Sequence, residues 1–408
     1  MIPVGNHVAI RYGPAAQCGL RDGSAWEHQQ TQFGARIDLL QHHETSTMTA
    51  TTSDIPRDPD QEVSVPVDVL KKLIVTVLVR KGMFEVEADI VAARMTEADL
   101  RGIHSHGSRT LGKYVAAIDA GDIDPRAVSI TACETPAIAV IEASGGMGHV
   151  AATRGMELAI AKAREVGTGT VVIKKGQHYG AAGVYTMLAA KAGMIGFSTT
   201  STGTATVAAY GSRQPGTANN AISWAIPTSS GAPFVLDTAV AESSWGKIES
   251  LGMFGLPISP GWALDESGHE TTDAGAAKTL LPMSGARGFA LGFVASALAS
   301  ALIGRRTPIH KSANPYGPGS DHFFQAIDPS HFGAPERFLK EIDATIASIR
   351  ELTPADGFDK VRIAGELEWE RSEQWSTAGI PFHRSQVNKL AEVCTSSRCD
   401  LPDGWPSV

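Results

Sequence analysis

Cysteine is scarce in this sequence, with four residues among 408, at Cys18, Cys133, Cys394 and Cys399. No two of them form a CxxC pair and no histidine stands at the spacing that completes a zinc site. Neither a disulfide framework nor a cysteine-based metal site is therefore predicted. Aromatic residues are also few, at 6%, whereas glycine is abundant, with 42 residues. This composition favours close backbone packing and tight turns, and it is common in α/β enzymes.

Clustered positive charge is lacking as well. The chain has 35 Lys and Arg residues against 43 Asp and Glu residues, which gives a formal net charge of -8. Because a protein needs grouped cations to neutralise phosphates, no nucleic-acid partner is expected. The N-terminus lacks the basic-then-apolar pattern of a secretory signal, which predicts a cytoplasmic location.

One long uncharged run raises the question of a membrane span. Residues 288–304 hold 17 positions without a charge and are followed by Arg305 and Arg306. The run is slightly short for a span and is rich in Ala, Gly and Ser. We therefore predict a helix buried on all sides and no membrane association.

The chain is predicted to begin with an extension. Residues 1–62 show no sustained hydrophobic period and end in the charged, proline-containing segment DIPRDPDQE. Such a composition predicts disorder. Met48 opens a start more typical of an enzyme, so the first 47 residues are expected to be dispensable.

Alternating helical and strand patterns follow the extension. A first helix is predicted from Pro66, and a second over residues 85–100 leads directly into RGIHSHG. Strand-like and helical patterns then alternate over residues 137–142, 150–165, 168–173, 181–192 and 195–199. This alternation is typical of βαβ units and predicts an α/β fold.

A glycine pattern at the start of one predicted helix resembles a dinucleotide-binding fingerprint. Gly146, Gly148 and Ala151 fit GxGxxA after a predicted strand. The next strand, however, is followed by Lys174 and Lys175, where a Rossmann domain needs an acidic residue for the ribose. A glycine turn that opens a helix is the favoured interpretation.

The segment RGIHSHGSRTLGKYV groups His104, Ser105, His106, Arg109 and Tyr114 within eleven residues. Imidazoles, hydroxyls and a guanidinium suit an anionic, oxygenated substrate that exchanges a proton. Two alternatives stay open: a metal site on the two histidines of HSH, and a solvated helix end without function.

A second candidate histidine lies in the segment KKGQHYGAAG. His178 follows the predicted strand over residues 168–173 and precedes a helix rich in small residues. Loops at strand ends are where α/β enzymes place their active sites, and a histidine there titrates near neutral pH. It suits a group that accepts a hydroxyl proton as hydride leaves.

Many motifs together carry a family resemblance. They are RGIHSHG, GHVAATRGMELAI, QHYGAAG, AGMIGFS, SWGKI, PISPGWALDESGHETTD, LLPMSGARGFALGF, HFFQAIDPSHFG and LTPADGFDKV. In order and spacing they resemble the malate/L-lactate/ureidoglycolate dehydrogenase family. The resemblance implies an α/β protein whose NAD(P)-binding fold is specific to the family and is not a Rossmann domain. It also implies a homodimer and a division into an NAD(P)-binding domain over residues 136–290 and a scaffold and substrate domain over residues 63–135 with 291–400.

The resemblance also implies roles for the catalytic cluster. His178 matches the proton acceptor of one branch of the family, and His106 matches the proton donor of another. We favour His178 and keep His106 second. Ser105 and Tyr114 fall at the substrate and nicotinamide site, and Arg109 is the candidate for the substrate carboxylate, because the family arginine is replaced by Thr110.

Cofactor residues are implied in the same way. The matching positions are Thr202 or Ser201, the segment Asp237, Thr238 and Ala239, and Arg287, which stands where the family has lysine. The expected function is the interconversion of a small 2-hydroxy acid and a 2-oxo acid with NAD or NADP. Alternatives are an NADPH-dependent cyclic imino acid reductase, a metal-dependent hydrolase built on His104 and His106, and an inactive binding relative.

Overall fold

The computed structural model describes residues 58–312 and 319–407. Most of the predicted N-terminal extension therefore lies outside the described residues, and only residues 58–62 of it are placed. They form the short 3-10 helix Pro59–Gln61 and the first residue of a strand.

The described residues form the following helices and strands. The helices are α1 (Val67–Arg80), α2 (Glu85–Leu100), α3 (Leu111–Asp119), α4 (Gly148–Val166), α5 (Gly183–Lys191), α6 (Trp245–Met253), α7 (Ala286–Ala299), α8 (Pro335–Arg350), α9 (Glu366–Ala378) and α10 (Arg384–Ser396). The strands are β1 (Glu62–Val65), β2 (Ile130–Glu134), β3 (Ile138–Glu142), β4 (Thr168–Gly176), β5 (Ile195–Ser201), β6 (Val207–Ala208), β7 (Pro215–Thr217), β8 (Ala221–Ile226), β9 (Phe234–Ala239), β10 (Ala263–Leu264), β11 (Glu270–Thr271), β12 (Thr279–Leu280), β13 (Ser320–Ile327) and β14 (Ile380–His383).

A helical part is built from the two ends of the described chain. Leu70, Ile74 and Val77 share one face of α1, and all three are fully buried, because apolar residues at helical spacing form a stripe that packs inward. The same core holds residues of α2, α3 and α10. Strand β1 pairs antiparallel with β14 and thereby ties the two ends of the described chain together.

A mixed seven-stranded sheet forms the centre of the fold, in the order β2-β3-β4-β13-β5-β8-β9. Strands β3 and β4 are parallel and are joined through α4, so this βαβ unit agrees with the predicted alternation. Strand β13 lies between β4 and β5 and is antiparallel to both. It belongs by topology with the sheet, although the predicted division assigned residues 291–400 to the other domain.

Helices cover both faces of this sheet. On one face, Met156 of α4 and Tyr185 of α5 are buried against Phe324 of β13. On the other face, Ala299 of α7 packs against Phe323. A smaller sheet in the order β11-β10-β12-β6-β7 forms a separate apolar cluster together with α6.

Helix α7 corrects the prediction of a helix buried on all sides. The segment Ala286–Ile303 is long and apolar enough to cross a membrane by length and composition, but only 33% of it is buried. Phe293 is 67% exposed and Val294 is 52% exposed. The absence of charge shows that the helix is apolar, but it does not show which face of the helix packs against the sheet.

Candidate active site

The loop after α2 is held by a buried carboxylate. Asp99 is fully buried; one oxygen accepts the backbone N–H of Ser108 at 2.7 Å, and the other accepts His104 Nδ1–H at 2.9 Å. A Cβ at Gly107 would lie 2.2 Å from the same carboxylate. The loop therefore wraps around Asp99 and needs glycine at that position.

His104 takes part in structure and not in the candidate site. Besides Asp99, its ring stacks on Trp375 at 5.9 Å and lies 4.7 Å from Phe382, whereas His106 stacks against His178. Among the described residues, no group of three His, Cys, Asp or Glu side chains could hold a metal ion. The two histidines of HSH thus contact different neighbours, which weighs against the hydrolase alternative.

A second loop, between β4 and α5, carries His178. His322 of β13 donates through Nε2 to the carbonyl of Gln177 at 2.9 Å. A Cβ at Gly148 would lie 2.3 Å from that carbonyl oxygen. The glycine pattern of the sequence therefore lets the start of α4 approach the histidine loop, as the glycine-turn interpretation expects, and β13 supports the loop from the sheet.

The structure brings the candidate catalytic groups together. The rings of His106 and His178 lie 5.6 Å apart. The Tyr114 hydroxyl is 2.7 Å from His178 Nδ1, and the backbone nitrogen of Gly180 lies 3.3 Å from the same atom. Ser105 Oγ lies 2.8 Å from His106 Nδ1. Two hydrogen-bonded pairs, Tyr114 with His178 and Ser105 with His106, are thus joined by the stacked imidazole rings.

Burial keeps these imidazoles neutral. It lowers the pKa of His106 to about 4, with a further lowering from Arg109 and Lys113. Burial and the neighbouring His106 hold the pKa of His178 well below its usual value. Removing an imidazolium from water is unfavourable, so both rings are uncharged at neutral pH and available to accept a proton.

Sequence reasoning missed a third histidine of the cluster. His149, the second residue of α4, is 1% exposed and lies edge-on to Tyr114 at 5.2 Å. Neither of its ring nitrogens has a hydrogen-bond partner within the described part of the chain. Burial lowers its pKa to about 3. Its position within GHVA, directly after the glycine turn, was the signal that could have identified it.

A cleft of about 530 Å³ reaches this cluster at Ser105 and His106, whereas Tyr114, His149 and His178 are not among the residues that line it. Ser105 and His106 line it together with the small residues 180–183 and the end of β9. Asp237 of β9 accepts the N–H of Gly183 at 2.8 Å, and burial raises the pKa of this carboxyl to about 7. The predicted cofactor residues Asp237, Thr238 and Ala239 therefore lie in the same cleft as the predicted catalytic loop.

Other predicted site residues have different surroundings. Arg109 donates through Nη1 to Ser250 Oγ and through Nη2 to the carbonyl of Gly246, both at 2.8 Å. Its guanidinium thus ties the catalytic loop to α6. A role in substrate binding stays a prediction.

Three predicted cofactor residues are not among the residues that line the cleft. Ser201 ends β5, and its carbonyl accepts Lys311 Nζ at 2.8 Å. Thr202 donates its N–H to Asn220 Oδ1 at 3.3 Å. Arg287 is exposed in the first turn of α7. Contacts of these residues with a cofactor stay predictions.

Comparison with known proteins decides the family. Residues 65–391 match the profile of the family described as malate/L-lactate dehydrogenase. The chain belongs to this family. It is an oxidoreductase that acts on CH–OH donors, and membership implies a nicotinamide cofactor. The family resemblance and the α/β fold class predicted from the sequence are thereby confirmed.

Individual relatives extend over most of the chain. Malate dehydrogenase of Pyrococcus horikoshii is 34% identical over 345 residues, which is 81% of this chain and 94% of the relative. The solved structure of that species' malate dehydrogenase has a TM-score of 0.78 and 31% identity, covering 85% of this chain and 99% of its own. L-sulfolactate dehydrogenase of Methanocaldococcus jannaschii is 34% identical over 82% of this chain and 97% of the relative. Delta(1)-pyrroline-2-carboxylate reductase of Ancylobacter novellus is 31% identical over 79% and 94%, respectively.

Proposed function

We propose that this chain interconverts a small 2-hydroxy acid of the malate, lactate, sulfolactate or ureidoglycolate type and the corresponding 2-oxo acid, using NAD or NADP. One observation carries the proposal. The uncharged His178, in contact with Tyr114 at Nδ1, stacks on His106, and His106 lines the cleft. A neutral imidazole beside a ligand-sized cleft suits proton exchange with a hydroxyl group.

The cleft residues fit a nicotinamide cofactor. The volume of about 530 Å³ falls within the usual range for small-molecule sites. Its wall at residues 180–183 carries no side chain larger than a methyl group, and a Cβ at Gly183 would lie 2.7 Å from Asp237 Oδ2. A flat ring can approach such a wall closely. Asp237, Thr238 and Ala239 would hold the cofactor there. Roles of Ser201, Thr202 and Arg287 in binding it rest on the family resemblance alone.

The residues of the chain supply the proton path, whereas a bound nicotinamide supplies or accepts the hydride. Tyr114 contacts His178 at Nδ1, so we assign proton exchange with the substrate oxygen to Nε2. This requires the tautomer of the neutral ring that carries its hydrogen on Nδ1 and donates it to the Tyr114 hydroxyl. In the direction of oxidation, neutral His178 accepts the hydroxyl proton, and in reduction it returns that proton. Ser105 and His106 orient the substrate from the cleft wall.

The experiment follows NAD(P)H absorbance while the purified protein is offered a panel of 2-oxo acids and cyclic imino acids with each cofactor. We expect turnover of at least one 2-oxo acid. His178→Ala should lower kcat by roughly 100-fold or more, the usual scale for the loss of a general acid or base. His269→Ala is the matched control, because His269 is an exposed histidine in the turn between β10 and β11. Near-normal turnover of His178→Ala together with inactive His106→Ala would move the role to His106.

The similarity to the Ancylobacter novellus reductase favours a second candidate, the reduction of a cyclic imino acid by NADPH. This reaction needs the same geometry of hydride transfer as the reduction of a 2-oxo acid, but the hydride acceptor is a C=N bond. Turnover of imino acids alone would select this candidate. If no compound of the panel is turned over and no nucleotide binds, the protein is an inactive relative of the family.

We also propose that the protein is a cytoplasmic homodimer. The exposed apolar side chains Leu291, Phe293 and Val294 on α7 support a subunit contact, since apolar patches of this kind usually mark interaction surfaces. Light scattering on the purified protein would give the mass of the assembly, and a monomer at micromolar concentration would contradict the proposal.

A further inference from the structure

A buried arginine in the cleft lacks the partners that such a residue requires. Arg101 directly follows α2. The residue is 5% exposed, and it lines the cleft with Ser105 and His106. Within residues 58–312 and 319–407, its guanidinium makes no hydrogen bond or ion pair. The guanidinium nitrogens are not among the fully buried polar atoms that lack a partner, so they open onto the cleft, where a ligand can accept their hydrogen bonds.

Other arginines near the cleft are already engaged. Arg109 donates to Ser250 and Gly246, and Arg362 forms a bidentate pair with Asp359 at 2.6 and 2.9 Å. Arg101 differs from both because its planar set of five donors is not used by the protein. Such a fork matches the two oxygens of a carboxylate.

Carboxylates of the protein act on Arg101 only from a distance. Burial lowers the pKa of Arg101, whereas Glu97, Glu368 and Asp237 raise it. None of the three forms a salt bridge with it. They help to keep the guanidinium charged and leave its donors to the cleft.

We propose that Arg101 binds a carboxylate of the substrate, next to Ser105 and His106. The inference rests on the proposed function, since it names the residue that receives the acid group. Arg101, Ser105 and His106 line the same cleft, so we expect one small acid to place its carboxylate on Arg101 and its reacting carbon near His106. A phosphate of the dinucleotide would also suit the guanidinium of Arg101, and the experiment below distinguishes the two ligands.

The test compares Arg101→Gln, Arg101→Lys and the wild type in three measurements. These are kcat and KM for the active acid, the Kd of NADH and NADPH by fluorescence, and the shift of Tm produced by oxalate, a dicarboxylate probe. We expect KM to rise about 10- to 100-fold in Arg101→Gln, the range for losing a hydrogen bond to a charged group. Arg101→Lys should recover part of the loss, because lysine keeps the charge without the fork. The oxalate shift should disappear in Arg101→Gln, while each nucleotide Kd stays within about twofold.

Lys340→Gln is the matched control, because it removes one positive charge from an exposed position on α8. It should change none of the three measurements. An unchanged KM and oxalate shift in Arg101→Gln would overturn the proposal, and so would a weaker nucleotide Kd with an unchanged KM. Should the wild type turn over no acid, the proposed function fails, and the oxalate shift still tests Arg101 by itself. If Arg101→Gln does not fold, the same criteria apply to Arg101→Lys.

Discussion

Replacing Asp99 should destabilise the protein and disable the candidate site together. In Asp99→Ala, the buried N–H of Ser108 loses its acceptor, and His104 loses its 2.9 Å partner. An unsatisfied buried donor costs about 1–3 kcal/mol and a hydrogen bond to a charged group contributes about 1.5–3 kcal/mol. Together they predict a loss of about 3–5 kcal/mol in the free energy of unfolding, the scale of breaking a buried pair.

The loss of activity follows from the position of the loop. Ser105 and His106 stand between His104 and Ser108, the two residues that Asp99 fixes. A displacement of these groups by about 1 Å costs on the order of 100-fold in turnover. We therefore expect kcat/KM to fall about 10- to 100-fold even in Asp99→Asn, which keeps one acceptor oxygen and should lose only about 1–3 kcal/mol of stability.

Urea unfolding followed by circular dichroism, alongside turnover of the active acid, measures both effects. The control is Asp89→Asn, an exposed acidic residue on the same helix α2, for which a change within about 0.5 kcal/mol is expected. The reasoning is refuted if Asp99→Ala unfolds at the same urea concentration as the control, or if Asp99→Asn keeps full activity.

Local sequence patterns were sufficient to locate both candidate loops. His106 and His178 each stand in a short polar segment at the end of a predicted helix or strand, and local spacing determines such ends. The role of Asp99 was missed, although it had a signal. Asp99 lies four residues after the buried Met95, so an acidic residue falls on the apolar face of α2. An acid in such a position needs buried partners.

Long-range pairing could not be predicted from the same patterns. The apolar run HFFQAI has the pattern of a strand, but such a pattern does not determine which strands lie beside it. In the fold, His322 of this strand lies beside Thr200 of β5 and below Gln177, 145 positions earlier. The support of the His178 loop therefore depends on a sheet order that only tertiary packing determines.

Two further predictions concern the histidine cluster. Gly148→Ala should displace the loop of His178 and lower kcat/KM at least about 10-fold. The reason is that a Cβ would lie 2.3 Å from the backbone oxygen of Gln177, and moving either backbone segment is unfavourable. Normal activity of this variant would contradict the prediction. The second prediction concerns pH. Burial lowers the pKa of His106 and His322 to about 4 and that of His149 to about 3, below the value of about 6.5 in an unfolded chain. The unfolded state therefore binds more protons in this window, so stability is complete above about pH 6.5 and is lost as the pH falls toward 4. Urea midpoints measured from pH 4 to 8 should rise up to about pH 6.5 and then level off; a midpoint that is constant between pH 4.5 and 6.5 would show that these rings are not buried as neutral groups.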